Sequence, residues 1–288
     1  MTQFSGGGQR VKNETRLGGD FSLRAASAIV MATAALGLAW VGGFPFLCFW
    51  FVLSVVVLWE WHRIVGGERI VLRVLAGAIS LLAASSLALR SEGAQALLVL
   101  VVGAAATAAI ADREHRFSAG AGVLYAGAVA AGTNLLRASP EYGVAAILWV
   151  FGVVWGTDVM AYIGGRMIGG PKLWPRVSPG KTWSGTVVGI IAGALIGAVV
   201  AWVAAPGGAS ISRLAGVGLL VAAASQGGDL FESALKRRAG VKDSSHLIPG
   251  HGGLMDRLDG FTVAIIIAVA IAYMRPHGHW IASGLFVG

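Results

Sequence analysis

The fold class this sequence predicts is all-α, a polytopic integral membrane protein with about nine transmembrane helices and a cytoplasmic N-terminus. Three observations predict it. Hydrophobic residues make up 56% of the 288 and charged residues 12%, with a mean hydropathy of +0.74; an ordinary globular domain is about one quarter charged. The apolar residues fall into nine runs, several of them near or beyond the ~20 residues a helix needs to cross a bilayer. The Lys and Arg residues gather on alternate connections between those runs.

The chain opens with MTQFSGGGQR, which reads as the start of a disordered cytoplasmic tail over 1–23. Arg10, Lys12, Arg16 and Arg24 precede the first run. A signal peptide begins with similar charge, but here the run is too long and leads straight into a second, so an anchor is expected. The nine runs lie near 24–41, 44–61, 70–89, 94–111, 118–135, 143–165, 183–204, 213–235 and 259–275. Connections between them are mostly short, so sequential helices should pack antiparallel.

With the N-terminus in the cytoplasm, cytoplasmic segments carry 18 of the 22 Lys and Arg residues, and the far side keeps only Arg90, Arg137, Arg213 and Arg275. Positive charge is retained on the cytoplasmic side of membrane proteins. Both long polar connections, near 166–182 and 236–258, then face the cytoplasm of a cell inner or plasma membrane. The runs over 24–140 are expected to form an N-terminal group of transmembrane helices, and 141–288, which carries those connections, a C-terminal transmembrane region where any catalytic groups would gather. The net charge of +8 is thus largely a topology signal. It also attracts anionic lipid and argues against a nucleic-acid partner. The lone Cys48 excludes an internal disulfide, and the ten Trp residues suit anchoring at the membrane interface.

Most of the runs have no acid in their middles. The sixth holds Asp158, in WGTDVMAYIGGR, and the eighth holds Asp229 and Glu232, in VAAASQGGDLFESALKRR. A charge at the bilayer centre costs at least ~2.5–3.5 kcal/mol, so such acids are functional candidates. Asp229, Glu232, Ser233 and Lys236 fall on one helical face; so do Asp158, Tyr162 and Gly165. A purely structural alternative is an ion pair between Asp229 and Lys236 or Arg237.

Further on, the stretch KRRAGVKDSSHLIPGHGGLMDRLDG concentrates charge of both signs. Asp256 and Asp259 stand three apart at the start of the ninth run, where acids also stabilise a helix N-terminus. Carboxylates from two segments with basic neighbours suit a hard cation such as Mg²⁺, which keeps waters and bridges to phosphates. The basic groups would offset the remaining phosphate charge.

Three features resemble motifs and are read otherwise. GKT at 180–182 lacks the P-loop glycine five residues upstream, where Pro175 stands, and no strand is expected before it. Lys181, Thr182 and Ser184 still surround a helix start, which can bind phosphate or simply be capped. Gly185, Gly189, Gly193 and Gly197 form a close-packing stripe, compatible with a homodimer without requiring one. His277 and His279 lie far from the acids and read as interfacial.

The run SALKRRAGVKDSSHLIPGHGGLMDRLD, from Ser233 to Asp259, closely resembles the signature of the phosphatidate cytidylyltransferase (CDP-diacylglycerol synthase) family. Its parts here are Ser233, Lys236-Arg237, Lys242-Asp243, His251-Gly252-Gly253 and Asp256-Arg257-x-Asp259. Asp158, Ala161-Tyr162, Gly165-Arg166, Ser178-Pro179 and Lys181-Thr182 also resemble it, with Gly180 where the family often has a polar residue. The similarity covers roughly 158–260.

The resemblance implies that CTP and phosphatidic acid yield CDP-diacylglycerol and pyrophosphate in phospholipid biosynthesis. It implies Mg²⁺, with or without a second cation, on Asp229, Asp256 and Asp259, and phosphate contacts from Lys236, Arg237 and Arg257. It further implies that Ser178, Lys181 and Thr182 hold the triphosphate or the lipid phosphate, and that Ser233, Lys242, Asp243 and His251 complete the pocket. Two rival functions remain at this level. A CTP-dependent lipid kinase makes similar demands, and a transporter would use Asp158 and Asp229 as coupling sites, although no internal repeat supports it.

Overall fold

The computed structural model describes residues 26–205, 209–248, 252–275 and 278–287. His251 and His277 lie outside the described residues.

The apolar runs form helices because a chain in hydrocarbon must satisfy its backbone hydrogen bonds internally. They are α1 (Ala26–Val41), α2 (Gly43–Val65), α3 (Ile70–Leu89), α4 (Gly93–Ile110) and α5 (Arg113–Arg137). Then follow α6 (Gly143–Ile168), α7 (Trp183–Ala204), α8 (Ile211–Arg238), α9 (Met255–Met274) and the short α10 (Ser283–Phe286). Among the described residues, α2 to α9 are eight helices long and apolar enough to cross a membrane, and α1 is shorter. The protein is therefore a multi-pass, all-α membrane protein.

One element departs from helix. Between α6 and α7, β1 (Lys172–Trp174) and β2 (Ser178–Thr182) form a two-stranded antiparallel hairpin. The expectation that no strand precedes GKT was wrong: β1 precedes it and GKT itself ends β2. Pro175 still breaks the P-loop pattern.

Contacts sort the connections into two ends. At one end, the backbone N–H of Glu68 donates to Asp112 (3.2 Å), and Ser244 and Ser245 donate to Glu60 of α2. At the other end, Arg137 donates to the carbonyl of Ala39, Ser91 to that of His279 and Arg213 to that of Leu285. Arg90, Arg137, Arg213 and Arg275 all belong to this second end, matching the grouping read from the basic residues.

The centre is aromatic. Trp50 of α2 stacks on Phe261 of α9 with ring centroids 5.1 Å apart, and Phe151 of α6 packs against both. On the flank, the glycine stripe of α7 faces α6. A Cβ on Gly185 would stand 2.5 Å from the Ala161 carbonyl oxygen, and one on Gly189 would stand 2.7 Å from that of Thr157. Gly193 and Gly197 meet Thr157, Val153 and Trp149 in the same way. The stripe lets two helix backbones touch within the chain, so this stripe is already occupied.

Candidate functional site

A second backbone contact, between α8 and α9, builds the site. A Cβ on Gly228 would lie 2.6 Å from the carbonyl oxygen of Asp259, and one on Gly260 would lie 2.6 Å from both Asp229 Oδ1 and Ser225 Oγ. Only glycine at these points allows the approach. It brings Asp229, near the end of α8, against the first turns of α9, where Asp259 stands.

These acids open onto a cleft of about 680 Å³. Asp158, Tyr162 and Arg166 come to it from α6, and Lys172, Lys181 and Thr182 from the hairpin. Gln226 and Asp229 come from α8, and Asp256, Arg257 and Asp259 from α9. Four carboxylates and four basic groups thus converge from three helices and a hairpin. Lys181 Nζ donates to Asp229 Oδ2 (2.8 Å) and to Gln226 Oε1 (3.2 Å), and Gln226 Nε2 donates to Asp158 Oδ1 (3.4 Å). Asp259 Oδ1 accepts from the backbone N–H of Gly260 (2.9 Å). Thr182 caps α7 by accepting from Gly185 N–H (3.1 Å), which fixes where β2 ends and so where Lys181 stands.

The expected shared face of α8 divides between two networks. Asp229 belongs to the cleft network. Two turns on, Lys236 Nζ lies 2.8 Å from Glu232 Oε2 and 2.6 Å from Asp256 Oδ1. Asp256 also accepts from the backbone N–H groups of Ser244 (3.1 Å) and Gly253 (2.8 Å). It is held by one ammonium and two backbone groups and anchors the segment before α9. The structural alternative of an ion pair with Lys236 is thus realised by Glu232 and Asp256, while Asp229 pairs with Lys181.

Other expected residues lie elsewhere. Arg237 and Lys242 are exposed and do not line the cleft, and neither do Ser178 and Ser233. Asp243 lines a separate cleft of about 430 Å³ with Trp59, Arg63, Ser244, Ser245 and His246. Sequence reasoning missed Gln226, although it shares a face with Asp229 three residues on. It also missed Glu60, an acid at the polar end of an apolar run.

Among the described residues, no three Asp, Glu, His or Cys side chains converge closely enough to form a complete metal site. The donor chemistry nonetheless fits a hard cation. Asp229 Oδ1 is buried with no hydrogen-bond partner among the described residues, and Asp259 lines the same cleft. Mg²⁺ commonly takes one or two protein carboxylates and completes its shell with water and phosphate oxygens.

A sequence model described as "Cytidylyltransferase family" matches residues 22–275. The phosphatidate cytidylyltransferase of Brucella abortus is 40% identical over 253 residues, 87% of this chain and 91% of that one. The Pseudomonas aeruginosa protein of the same name is 38% identical over 243 residues, 79% of this chain and 88% of that one. The Bacillus subtilis protein of that name is 39% identical over 129 residues, 44% of this chain and 46% of that one. These matches support neither a lipid kinase nor a transporter.

Proposed function

This chain belongs to the cytidylyltransferase family, and on that premise we propose that it is the nucleotidyltransferase that joins CTP and phosphatidic acid. The products are CDP-diacylglycerol and pyrophosphate, in phospholipid biosynthesis. The observation that carries the reading is the single cleft in which Asp158, Asp229 and Asp259 face Arg166, Lys172, Lys181 and Arg257. Two anionic substrates have to meet there.

Phosphatidate is already an anionic nucleophile, so the site needs no strong general base. What it must supply is placement of the attacking oxygen in line with the α-phosphorus, and charge to offset repulsion. Arg257, Lys172 and Arg166 rim the cleft and suit phosphate contacts. Lys181 is placed to exchange Asp229 for a phosphate oxygen, and Gln226 holds Asp158 in the wall.

Asp229 and Asp259 are the proposed ligands of Mg²⁺, which when bound would polarise the phosphoryl oxygens and neutralise the leaving pyrophosphate. Asp256, with its oxygens engaged by Lys236, Ser244 and Gly253, is assigned to hold the start of α9. Asp158 is the carboxylate available to a second cation.

In this reading α1 is the first of nine crossings, the N-terminus is cytoplasmic, and the cleft opens at the cytoplasmic boundary of the inner or plasma membrane. The lipid enters sideways from the bilayer. A homodimer would have to use a face other than the glycine stripe of α7.

The deciding experiment supplies CTP labelled at the α or the γ phosphate, with phosphatidate or diacylglycerol in detergent. Label from the α phosphate in the lipid is expected. Label from γ would mean a kinase, and no transfer of either would contradict the reading.

A further inference from the structure

Glu60 lies in α2, far in sequence from every residue that lines the cleft. Its side chain is fully buried, at 0% exposure. Its two carboxyl oxygens accept four hydrogen bonds. Oε1 accepts from Ser245 Oγ (2.5 Å) and from the backbone N–H of Leu254 (2.9 Å), while Oε2 accepts from that of Met255 (2.6 Å) and from Ser244 Oγ (3.3 Å).

An ionised carboxylate can accept all four at once, because that form is acceptor alone. Two of the donors are free N–H groups at the start of α9, where negative charge is favoured. The carboxylate is therefore satisfied where it stands and is not waiting for a metal.

Glu60 and Asp256 grip the same segment through different groups. Asp256 accepts from Ser244 N–H and Gly253 N–H, while Glu60 accepts from the side chains and backbone immediately beside them. A Cβ on Gly253 would lie 2.5 Å from Glu60 Oε1, so the acid reaches the backbone only because that residue is glycine. The next turn of α9 carries Arg257 and Asp259 into the cleft. Glu60 itself lines neither this cleft nor the one beside His246.

We infer that Glu60 is a positioning residue for nucleotidyl transfer: it fixes the first turn of α9 so that Asp259 and Arg257 stand opposite Asp229. The inference rests on the proposed transfer reaction and gives the N-terminal helices a role in it. A residue that acts only through the placement of others should change kcat more than substrate affinity, since a displacement of about 1 Å at the reacting groups can cost on the order of 100-fold.

The experiment uses the full chain in detergent with labelled CTP and phosphatidate. Glu60→Gln keeps the size but turns one acceptor into a donor facing an N–H group. Its kcat should fall by about 10- to 100-fold, with KM for both substrates within about threefold. Glu60→Asp, which keeps the charge, should recover part of the loss. Hydrogen exchange at Leu254 and Met255, measured without substrates, should accelerate in Glu60→Gln while exchange along α7 stays unchanged.

A wild-type kcat in Glu60→Gln overturns the inference, as does a loss confined to KM. Should Glu60→Gln fail to fold, Ser245→Ala removes a single donor. It should lower kcat at constant KM and speed exchange at Leu254, and unchanged values there overturn the inference. A wild-type protein with no transfer of the α label contradicts the proposed function instead. The exchange measurement then decides alone, with equal protection of Leu254 and Met255 in wild type and Glu60→Gln counting against the positioning role.

Discussion

Lys181 Nζ lies 2.8 Å from Asp229 Oδ2, so an ion pair ties the end of the hairpin to the membrane helix α8. The other oxygen of Asp229 is buried without a partner among the described residues. That asymmetry makes Asp229 the acid most open to a cation. Asp229→Asn should lower turnover by well over the about 10- to 100-fold that follows loss of a residue merely supporting a metal ligand. The thermal midpoint in detergent should change little, because the pair it breaks is partly exposed. Near-normal turnover would remove Asp229 from the metal site.

Lys236 has a different role. Its ammonium sits between Glu232 and Asp256 at 2.8 and 2.6 Å, with all three side chains largely buried. Removing the shared cation leaves two carboxylates facing each other with no partner between them, and breaking a buried pair costs about 3–5 kcal/mol. Lys236→Met should therefore lower unfolding stability in a chemical denaturation series. Asp229→Asn should not do so to the same degree.

The helix contact at Gly260 predicts a selective effect on activity. A Cβ there would lie 2.6 Å from Asp229 Oδ1, whereas one at Gly216, also on a membrane helix, meets nothing within 4 Å. Gly260→Ala should displace Asp229 and cost activity out of proportion to stability. Gly216→Ala should leave activity unchanged and stabilise its helix by up to about 1 kcal/mol. Steady-state kinetics beside thermal unfolding of the two variants makes the comparison.

The orientation can be read with a membrane-impermeant thiol reagent. With Cys48 replaced by serine, a cysteine at Arg238 should be labelled only from the cytoplasmic side. One at Arg90 should be labelled only from the other. The reverse pattern would place the cleft on the far face of the membrane.

The parts legible in the sequence are those with local signals. Helix α7 begins and ends at the residues its run predicts, since Lys181 and Thr182 precede the run and the sequence Pro-Gly-Gly at 206–208 follows it. The acids of α8 and α9 were visible because a carboxylate in an apolar run has no ordinary reason to be there. The hairpin was not legible, as strands of three and five residues, the second carrying Pro179 and Gly180, are too short to show an alternating pattern. Glu60 was missed for another reason. Its partners lie 184 to 195 residues away, and a contact at that separation leaves no periodicity to read. The division of the α8 acids into two networks was equally hidden, because helical spacing shows which side chains share a face but not which neighbour each one meets.

The central claim is that Asp229 and Asp259 share one divalent cation at the cleft. Mn²⁺ can replace Mg²⁺ as a spectroscopic probe, and titrating it into purified protein with CTP while following its electron paramagnetic resonance measures that site directly. Wild type and Asp243→Asn should bind one tight Mn²⁺, and Asp229→Asn and Asp259→Asn should each lose it. Undiminished binding in either of the last two variants would contradict the account.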